Sequence, residues 1–218
     1  MPLGHEANIR IIVERVHVEG NGAILLTGPS SCGKGEIAKS ICAFLSLSSE
    51  QHVSMGDVLR QTIDAARTDD SFRRQLGDSF GISSAIPIFD ASYNPSDLIK
   101  KAQKYEGEIS SLLHDATRLI SQLDWLSFCV NRGLLIPDDW TERIIDAHFK
   151  KTPQLQDGIF VLDGYPRTTI AAERLLQTFD QLGIGLIKVI HLSITKEQMK
   201  VRAENRKRDD DTDRALDS

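Results

Sequence analysis

Several features that would indicate a particular class of protein are absent from this 218-residue sequence. It has only three cysteines, Cys32, Cys42 and Cys129, and no two of them form a CxxC pair. An odd number of cysteines without metal-ligand spacing argues against a disulfide framework and a structural zinc site, and it favours a reducing compartment. We therefore expect a cytoplasmic protein that holds no zinc.

Long hydrophobic runs and an excess of positive charge are also lacking. Charged residues interrupt the apolar ones throughout residues 1–20, so this stretch predicts neither a signal peptide nor a membrane span. Pro2 stands where N-myristoylation requires glycine. The net charge is −5 and the basic residues are spread along the chain, which disfavours binding to a nucleic-acid backbone. We expect neither a membrane nor a nucleic acid as partner.

Four short apolar runs indicate the strands of a buried parallel sheet. Each is followed by glycine, polar residues or a helical pattern, an order typical of a doubly wound α/β fold. The runs lie at residues 23–27, 51–55, 158–163 and 186–194. With a hydrophobic fraction of 40%, the chain can bury one sizeable core, so we expect one globular unit.

Helical patterns occur in three other places. Apolar residues recur at helical spacing after Gly33, so a helix should begin there with its N-terminus facing the preceding turn. The longest predicted helix covers residues 94–123. A loop rich in Ser, Gly, Pro and Asn at residues 77–96 separates it from a shorter charged helix at residues 69–76.

Residues 28–34, GPSSCGK, fit the phosphate-loop pattern GxxxxGK between the first predicted strand and the following helix. The glycines permit a tight loop whose backbone N–H groups face phosphate oxygens, while Lys34 and the helix N-terminus add positive potential. Gly35 follows the lysine in place of the usual Ser or Thr that would hold Mg²⁺. The motif predicts a site for nucleotide phosphates.

Four segments in this order resemble the adenylate kinase and nucleoside monophosphate (NMP) kinase family of P-loop NTPases. They are GPSSCGKG at 28–35, SMGDVLR at 54–60, GLLIPD at 133–138 and LDGYPRT at 162–168. The resemblance implies a three-layer α/β/α fold with a parallel sheet. It also implies a kinase that binds ATP with Mg²⁺ and an NMP, and that converts them to ADP and a nucleoside diphosphate.

The resemblance also assigns site residues. The residues that it implies for ATP binding are Gly28, Pro29, Ser30, Ser31, Cys32, Gly33, Lys34, Gly35 and Glu36. Those implied for NMP binding are Met55, Gly56, Arg60, Ile136, Gly164, Arg167 and Ala171. The catalytic set is Lys34, Arg167, Arg202, Arg206 and Arg208, and Asp163 would order Mg²⁺ through water. Independently of the resemblance, Arg60 and Arg167 follow predicted strands, where α/β sheets bind ligands and guanidinium groups can clamp phosphate.

Three residues depart from the pattern of this family. Glu36 replaces a Thr or Ser that touches the phosphates, and its carboxylate would repel them unless it turns away. Met55 replaces a threonine, and Ala171 replaces the glutamine that hydrogen-bonds adenine. Specificity for AMP therefore does not carry over, and the identity of the acceptor base stays open.

The resemblance divides the chain into a core with added parts. We predict an N-terminal extension at 1–21, a P-loop core at 22–60 and 139–201, an enlarged helical NMP-binding lobe at 61–138, and a lid stub with a truncated C-terminal end at 202–218. The lid is very short because only Lys207 separates Arg206 from Arg208. The family's later helix and fifth strand would follow residue 218, so a sheet edge should be uncovered.

Two alternatives to an NMP kinase stay open. The chain could be a catalytically weak nucleotide-binding module, since Glu36 and the short lid disfavour turnover. It could also be a P-loop kinase of another small phosphorylated metabolite, which the enlarged lobe would admit. We expect a monomer in which residues 61–130 pack on the core, with a dimer through this insertion as the alternative. The large aromatic residues near the GLLIPD segment, Trp125, Phe128 and Trp140, are interpreted as core.

Overall fold

The centre of the protein is a parallel sheet whose four strands lie in the order β2, β3, β1, β4. This computed structural model describes residues 20–29, 31–113, 119–202 and 204. The strands are β1 (Gly22–Thr27), β2 (His52–Ser54), β3 (Ile159–Asp163) and β4 (Leu186–His191). The doubly wound parallel sheet predicted from the sequence is confirmed.

The last strand is shorter than the sequence predicts. β4 ends at His191, whereas the apolar run continues to Ile194. The backbone N–H of Leu192 still donates to the carbonyl of Thr27 at 2.9 Å. β1 itself ends at Thr27, so the residues after Leu192 lose the backbone partner that a strand requires.

Helices cover both faces of the sheet, which makes three layers. Side chains alternate along β1, so Ile24 and Leu26 face one side while Ala23 and Leu25 face the other. The first pair packs with α1, and the second pair belongs to the larger apolar cluster with α7 and α9. These covering helices are α1 (Lys34–Leu45), α7 (Asp138–Lys151) and α9 (Thr169–Leu182).

The remaining helices build the enlarged lobe. They are α2 (Met55–Thr68), α3 (Asp70–Phe80), α4 (Ser96–Gln103), α5 (Glu106–Leu112) and α6 (Gln122–Arg132). The short α8 (Gln154–Asp157) lies outside the lobe and contacts β1. α2 packs against α3, α6 and α7. The predicted boundary after residue 60 falls inside α2, and one continuous apolar cluster joins lobe and sheet. Trp125, Phe128 and Trp140 are buried in this cluster, which confirms their interpretation as core.

The predicted long helix at residues 94–123 is wrong. The chain there forms α4 and then α5, with a turn at residues 104–105 between them. Tyr105 has φ −119° and ψ 8°, which lie outside the helical region, and its ring packs on Trp125 and Phe128. The chain forms a turn here that packs the Tyr105 ring against the core, and the helix does not continue through it.

A second break precedes α6. The Ser121 side chain accepts a hydrogen bond from the backbone N–H of Asp124, and the Asp124 carboxylate accepts one from the backbone N–H of Ser121. This capping box starts a new helix at Gln122. The apolar stripe of the sequence continues across both breaks, because separate helices packed on one core present the same spacing as a single helix.

The charged helix α3 is longer than predicted. Residues 77–80 are helical, although their composition predicts a loop. The helix ends at Gly81, whose φ of +69° lets its N–H donate to the carbonyl of Gly77 and the N–H of Ile82 donate to the carbonyl of Leu76. The loop therefore begins one turn later than its composition indicates.

Two predicted segments lie largely outside the described residues. They are the N-terminal extension at 1–21 and the lid stub at 202–218, of which only Gly20, Asn21, Arg202 and Glu204 are described. Within the described ranges, no strand pairs with the outer edge of β4, and Leu186, Ile187 and Val189 are exposed there. No helix in these ranges has the length and apolar character needed to cross a membrane.

Candidate active site

The phosphate loop depends on glycine at two positions. Gly28 has φ +139°, and a Cβ atom there would stand 2.4 Å from the carbonyl oxygen of Leu192. Gly33 has φ +95° and is the N-cap of α1. Because other residues rarely adopt such angles, both positions favour glycine. The loop thus places the N-terminus of α1 next to the end of β1.

Lys34 lies inside this loop. Its ammonium donates hydrogen bonds to the carbonyls of Gly28 at 3.1 Å and Pro29 at 2.8 Å, and it lies 3.7 Å from the Cys32 sulfur. Arg202 reaches the same loop from the other side, since its Nη1 donates to the Cys32 carbonyl at 3.1 Å. Two cations therefore border the loop, as an anion site requires.

Glu36 is turned toward Lys39. Its Oε1 accepts a hydrogen bond from Lys39 Nζ at 3.0 Å, and both side chains are largely exposed. The repulsion expected between Glu36 and bound phosphate is thereby reduced, because the carboxylate is paired with a cation and screened by solvent.

Asp163 ends β3 beside the loop and is 9% exposed. Its Oδ1 atom is buried and has no hydrogen-bond partner among the described residues. Burial raises the pKa of this carboxyl, while the charges of Lys34, His52 and Arg167 oppose the increase. A Cβ atom on Gly35 would stand 4.0 Å from Oδ2, so the glycine leaves room next to the carboxylate. An unpartnered carboxylate oxygen at this place is suited to a cation or to a water molecule of its shell.

Arg60 lies on the first turns of α2, over a glycine. A Cβ atom on Gly56 would stand 3.3 Å from Nη2 and 3.4 Å from Nη1 of Arg60, so the guanidinium covers the backbone there. Nη2 also donates to Asp57 Oδ1 at 2.6 Å. Half of the Arg60 side chain stays exposed to the cleft and solvent.

Arg167 follows β3 four residues after Asp163 and lines two clefts with Lys34. Its Nε donates to the carbonyl of Gly164 at 3.0 Å, which anchors the guanidinium next to the strand end. The neighbouring Thr168 caps α9 by accepting from the N–H of Ala171, and its hydroxyl donates to Asp138 Oδ2 at 2.9 Å. The Arg167 segment is thus fixed to both α7 and α9.

One cleft of about 610 Å³ joins these groups at the carboxyl ends of β1, β2 and β3. Lys34, Asp163, Arg60, Arg167 and Arg202 all line it. Away from these charges its wall is mainly apolar, formed by Met55, Leu59, Cys129, Val130, Leu134, Leu135 and Ile136. The cleft can therefore receive an anionic group at one end and an apolar or aromatic body at the other.

Curated proteins similar to this chain are adenylate kinases. The adenylate kinase of Alkaliphilus oremlandii is 27% identical over 184 residues, which are 84% of this chain and 58% of that protein. Those of Thermosipho melanesiensis and Kosmotoga olearia are 26% and 27% identical over 84% of the chain, which covers 59% of each. The chain thus resembles adenylate kinases, from which it has diverged widely in sequence. It spans roughly three fifths of the length of these relatives, and a scan against models of protein families finds no match.

Most of the predicted site residues of this adenylate kinase-like protein come together. Those that line the 610 Å³ cleft are Ser31, Gly33, Lys34, Gly35, Glu36, Met55, Gly56, Arg60, Ile136, Asp163, Gly164, Arg167 and Arg202. Gly28 lines an adjoining cleft of about 470 Å³, and Pro29 supplies a carbonyl to Lys34. Cys32 is buried beneath the loop. Ser30, Arg206 and Arg208 lie outside the described residues.

Ala171 is the predicted NMP-binding residue that the structure does not bring to the cleft. It occupies the first turn of α9, is 1% exposed and packs in the apolar core. The Tyr165 hydroxyl donates to its carbonyl at 3.4 Å. The turn at Thr168 rotates this position toward the interior, so a methyl side chain here contacts the core and not a ligand.

Several residues that line the two clefts were not identified by the sequence analysis. His52, Ser54 and Lys39 line the larger cleft, and His191 lines the smaller one. Ser54 and His191 could have been identified, because each ends a strand of a parallel sheet, where ligands bind. No sequence signal identifies Lys39, whose position depends on how α1 is turned against the sheet.

Proposed function

We propose that this protein transfers the γ-phosphoryl group of ATP to an NMP, giving ADP and a nucleoside diphosphate. The observation that carries the proposal is the cleft that Lys34 of the phosphate loop, Asp163, Arg60 and Arg167 line together. Phosphoryl transfer depends mainly on aligning two anionic substrates and stabilising the charge that spreads over the transferred group. Cations that converge from several elements of the fold meet this need.

On the donor side, the loop and Lys34 would bind the ATP phosphates. Backbone N–H groups of the loop and the N-terminus of α1 supply positive potential. The Lys34 ammonium would exchange its hydrogen bonds to Gly28 and Pro29 for phosphate oxygens. Arg202, which already contacts the loop at the Cys32 carbonyl, would bind the transferred group.

The residues present fit a magnesium ion held mostly by water and phosphate. Asp163 has a buried carboxylate oxygen without a partner, and Gly35 leaves space beside it but offers no hydroxyl. Within the described residues, no group of three or more His, Cys, Asp or Glu side chains could hold a metal. Asp163 would orient the water shell of Mg²⁺, and the ion would supply charge neutralisation at the phosphates.

On the acceptor side, Arg60 and Arg167 would clamp the phosphate of the NMP. A guanidinium group can donate two parallel hydrogen bonds to one phosphate. Arg60 is anchored by the Asp57 carboxylate, and Arg167 is anchored by the Gly164 carbonyl. The apolar wall would receive the base. An oxygen of the acceptor phosphate would attack the γ-phosphorus in line, while the bond from that phosphorus to the β-phosphate oxygen of ADP breaks. The attacking oxygen is already ionised, so no catalytic base is required.

The test is ADP formation from ATP and Mg²⁺ with AMP, CMP, UMP, GMP and the deoxy-NMPs as acceptors. Acceptor-dependent ADP and a nucleoside diphosphate product are expected, and Lys34→Ala should abolish both. This variant is purified in parallel, so activity that survives in it would be traced to a contaminating kinase. If no acceptor yields a nucleoside diphosphate although ATP binds, the proposal is wrong.

A second candidate is a nucleotide-binding module with little turnover. The observation that favours it is Gly35, which supplies no hydroxyl to a metal beside Asp163. Such a module would show an ATP-dependent increase in melting temperature without product, whereas a kinase would show both. A kinase of another small phosphorylated metabolite would instead produce ADP only with a non-nucleotide acceptor, and such acceptors belong in the same panel.

A further inference from the structure

A histidine at the end of β4 borders the phosphate loop without a role in the reaction proposed above. His191 is the last residue of β4 and pairs in register with Thr27, the last residue of β1. Its side chain lines the 470 Å³ cleft together with Gly28, Lys34 and Arg167. The ring therefore shares a cavity with two of the cations assigned to phosphate groups.

The backbone around His191 is held tightly against the loop. The N–H of Leu192 donates to the Thr27 carbonyl at 2.9 Å, and the Leu192 carbonyl approaches Gly28 so closely that a Cβ atom there would stand 2.4 Å away. Two adjacent backbone contacts leave little freedom to the end of β4. A nucleotide phosphate on the loop would consequently have His191 as a fixed neighbour.

The contact with Thr27 determines which ring nitrogen is available to a ligand. His191 Nδ1 lies 3.0 Å from Thr27 Oγ1. When the Thr27 hydroxyl donates to Nδ1, the ring carries its N–H on Nε2. Nε2 is then a hydrogen-bond donor, as a phosphate oxygen requires.

We propose that His191 is a further nucleotide-phosphate ligand, which donates a hydrogen bond from Nε2 to a phosphate oxygen of the bound donor nucleotide. The inference rests on the proposed function in one respect, namely that the donor is ATP on the phosphate loop. His191 would thus contribute a hydrogen-bond donor beside the cations Lys34 and Arg167. No other residue of β4 lines either cleft. Thr27 acts through the ring as a positioning residue.

Two substitutions at this position separate ligand binding from a structural role. In His191→Asn, the side-chain amide can replace Nδ1 and keep the contact with Thr27, but nothing occupies the position of Nε2. In His191→Gln, the amide nitrogen can reach the position of Nε2. The control is Lys188→Gln, because Lys188 is exposed on the same strand and lines neither cleft.

The measurement is the dissociation constant of ATP with Mg²⁺ by titration calorimetry, together with the melting temperature of each variant without ligand. His191→Asn should weaken ATP binding by about tenfold, the usual loss when one hydrogen bond to a charged group is removed. His191→Gln should stay within about threefold of the wild type, and Lys188→Gln should bind like the wild type.

The outcomes distinguish this inference from the proposed function. Equal ATP affinity in His191→Asn and the wild type would overturn the inference and leave the kinase proposal intact. Equal loss in His191→Asn and His191→Gln, with lower melting temperatures, would assign the ring to the fold and also overturn it. Absence of ATP binding in the wild type would refute both. The expected loss in a protein that forms no product would support the inference while refuting the kinase.

Discussion

The Lys101 ammonium donates a hydrogen bond to the backbone carbonyl of Leu135 and thereby joins α4 to the wall of the cleft. A second link lies nearby, where Arg132 at the end of α6 pairs with Glu108 on α5. Leu135 itself is 50% exposed, so its side chain contributes little to holding the segment. The inserted helices therefore support the segment that would contact the acceptor.

Lys101→Met should weaken acceptor binding without affecting ATP. Methionine keeps an apolar stem of similar length but cannot donate to the Leu135 carbonyl, so the acceptor wall loses its anchor. We expect the acceptor KM to increase about three- to tenfold with kcat nearly unchanged. Steady-state kinetics at saturating ATP measures this. Lys101→Arg retains a donor and should recover most of the loss; an unchanged KM in Lys101→Met would contradict a positioning role.

Gly56→Ala should stabilise the protein and impair the acceptor site together. Alanine is favoured over glycine in a helix by about 0.5–1 kcal/mol. Its methyl group would nevertheless stand 3.3–3.4 Å from the Arg60 guanidinium nitrogens and displace them. The acceptor KM is expected to increase on the order of fivefold, while thermal unfolding shows an equal or higher melting temperature.

Gly107→Ala is the matched control for this substitution. Gly107 also lies in a helix, and a Cβ atom there would meet no heavy atom within 4 Å. The variant should gain stability with an unchanged KM. A KM increase of the same size in both variants would show that helix stabilisation, and not displacement of Arg60, is responsible.

Arg167→Ala should separate turnover from donor binding. The guanidinium is anchored at the Gly164 carbonyl on the side proposed for the acceptor, so its loss removes charge from the acceptor phosphate. Turnover is expected to fall on the order of 100-fold, while ATP still raises the melting temperature as in the wild type. Arg73→Ala, which removes an exposed ion pair with Asp70 on α3, should leave both unchanged. Parallel loss of turnover and ATP-induced stabilisation would refute the role given to Arg167.

Asp163→Asn should stabilise the fold at neutral pH while reducing turnover. Burial raises the pKa of the Asp163 carboxyl above its ordinary 3.8. Between pH 3.8, the ordinary pKa, and the raised pKa of the folded state, the folded protein binds more protons than the unfolded one. The free energy of unfolding therefore falls as the pH rises through this range. Removing the ionised group should add about 1 kcal/mol at pH 7, or roughly 2–4 °C in melting temperature.

The pH dependence provides the check on this assignment. Below pH 3.8 the carboxyl is protonated in both folded and unfolded protein, so the difference between Asp163→Asn and the wild type should disappear. Asp157→Asn, at an exposed position, is the control substitution. A lower melting temperature for Asp163→Asn at pH 7 would mean that the carboxylate stabilises the fold.

The parts of the fold that the sequence predicts well are those set by local rules. The four strands appear as apolar runs because both faces of a parallel sheet are buried, and each run lies where the structure has a strand. The loop at residues 28–34 is recognisable because its glycines adopt positive φ angles that other residues avoid. Lys34 was predicted from this motif, Asp163 from the resemblance, and Arg60 and Arg167 both from the resemblance and from their positions after predicted strands.

Local rules fail where distant packing decides. Residues 94–123 have the apolar spacing of one helix, but the burial of Tyr105 against Trp125 and the Ser121 cap divide it into separate pieces. Ala171 is adjacent to the Arg167 motif in sequence, yet the cap at Thr168 turns it into the core. The contact of Tyr105 with Trp125 joins residues that no sequence pattern relates.

The sequence alone therefore determined the sheet, the phosphate loop and the charged residues at its strand ends, because periodicity and backbone angles act over a few neighbouring residues. Only the tertiary structure decided that Tyr105 packs on Trp125, that Lys101 donates to the Leu135 carbonyl, and that His191 meets Thr27 at the edge of the loop. The contact of His191 with Thr27 joins residues 164 positions apart, and such neighbours arise only when the strands pack side by side.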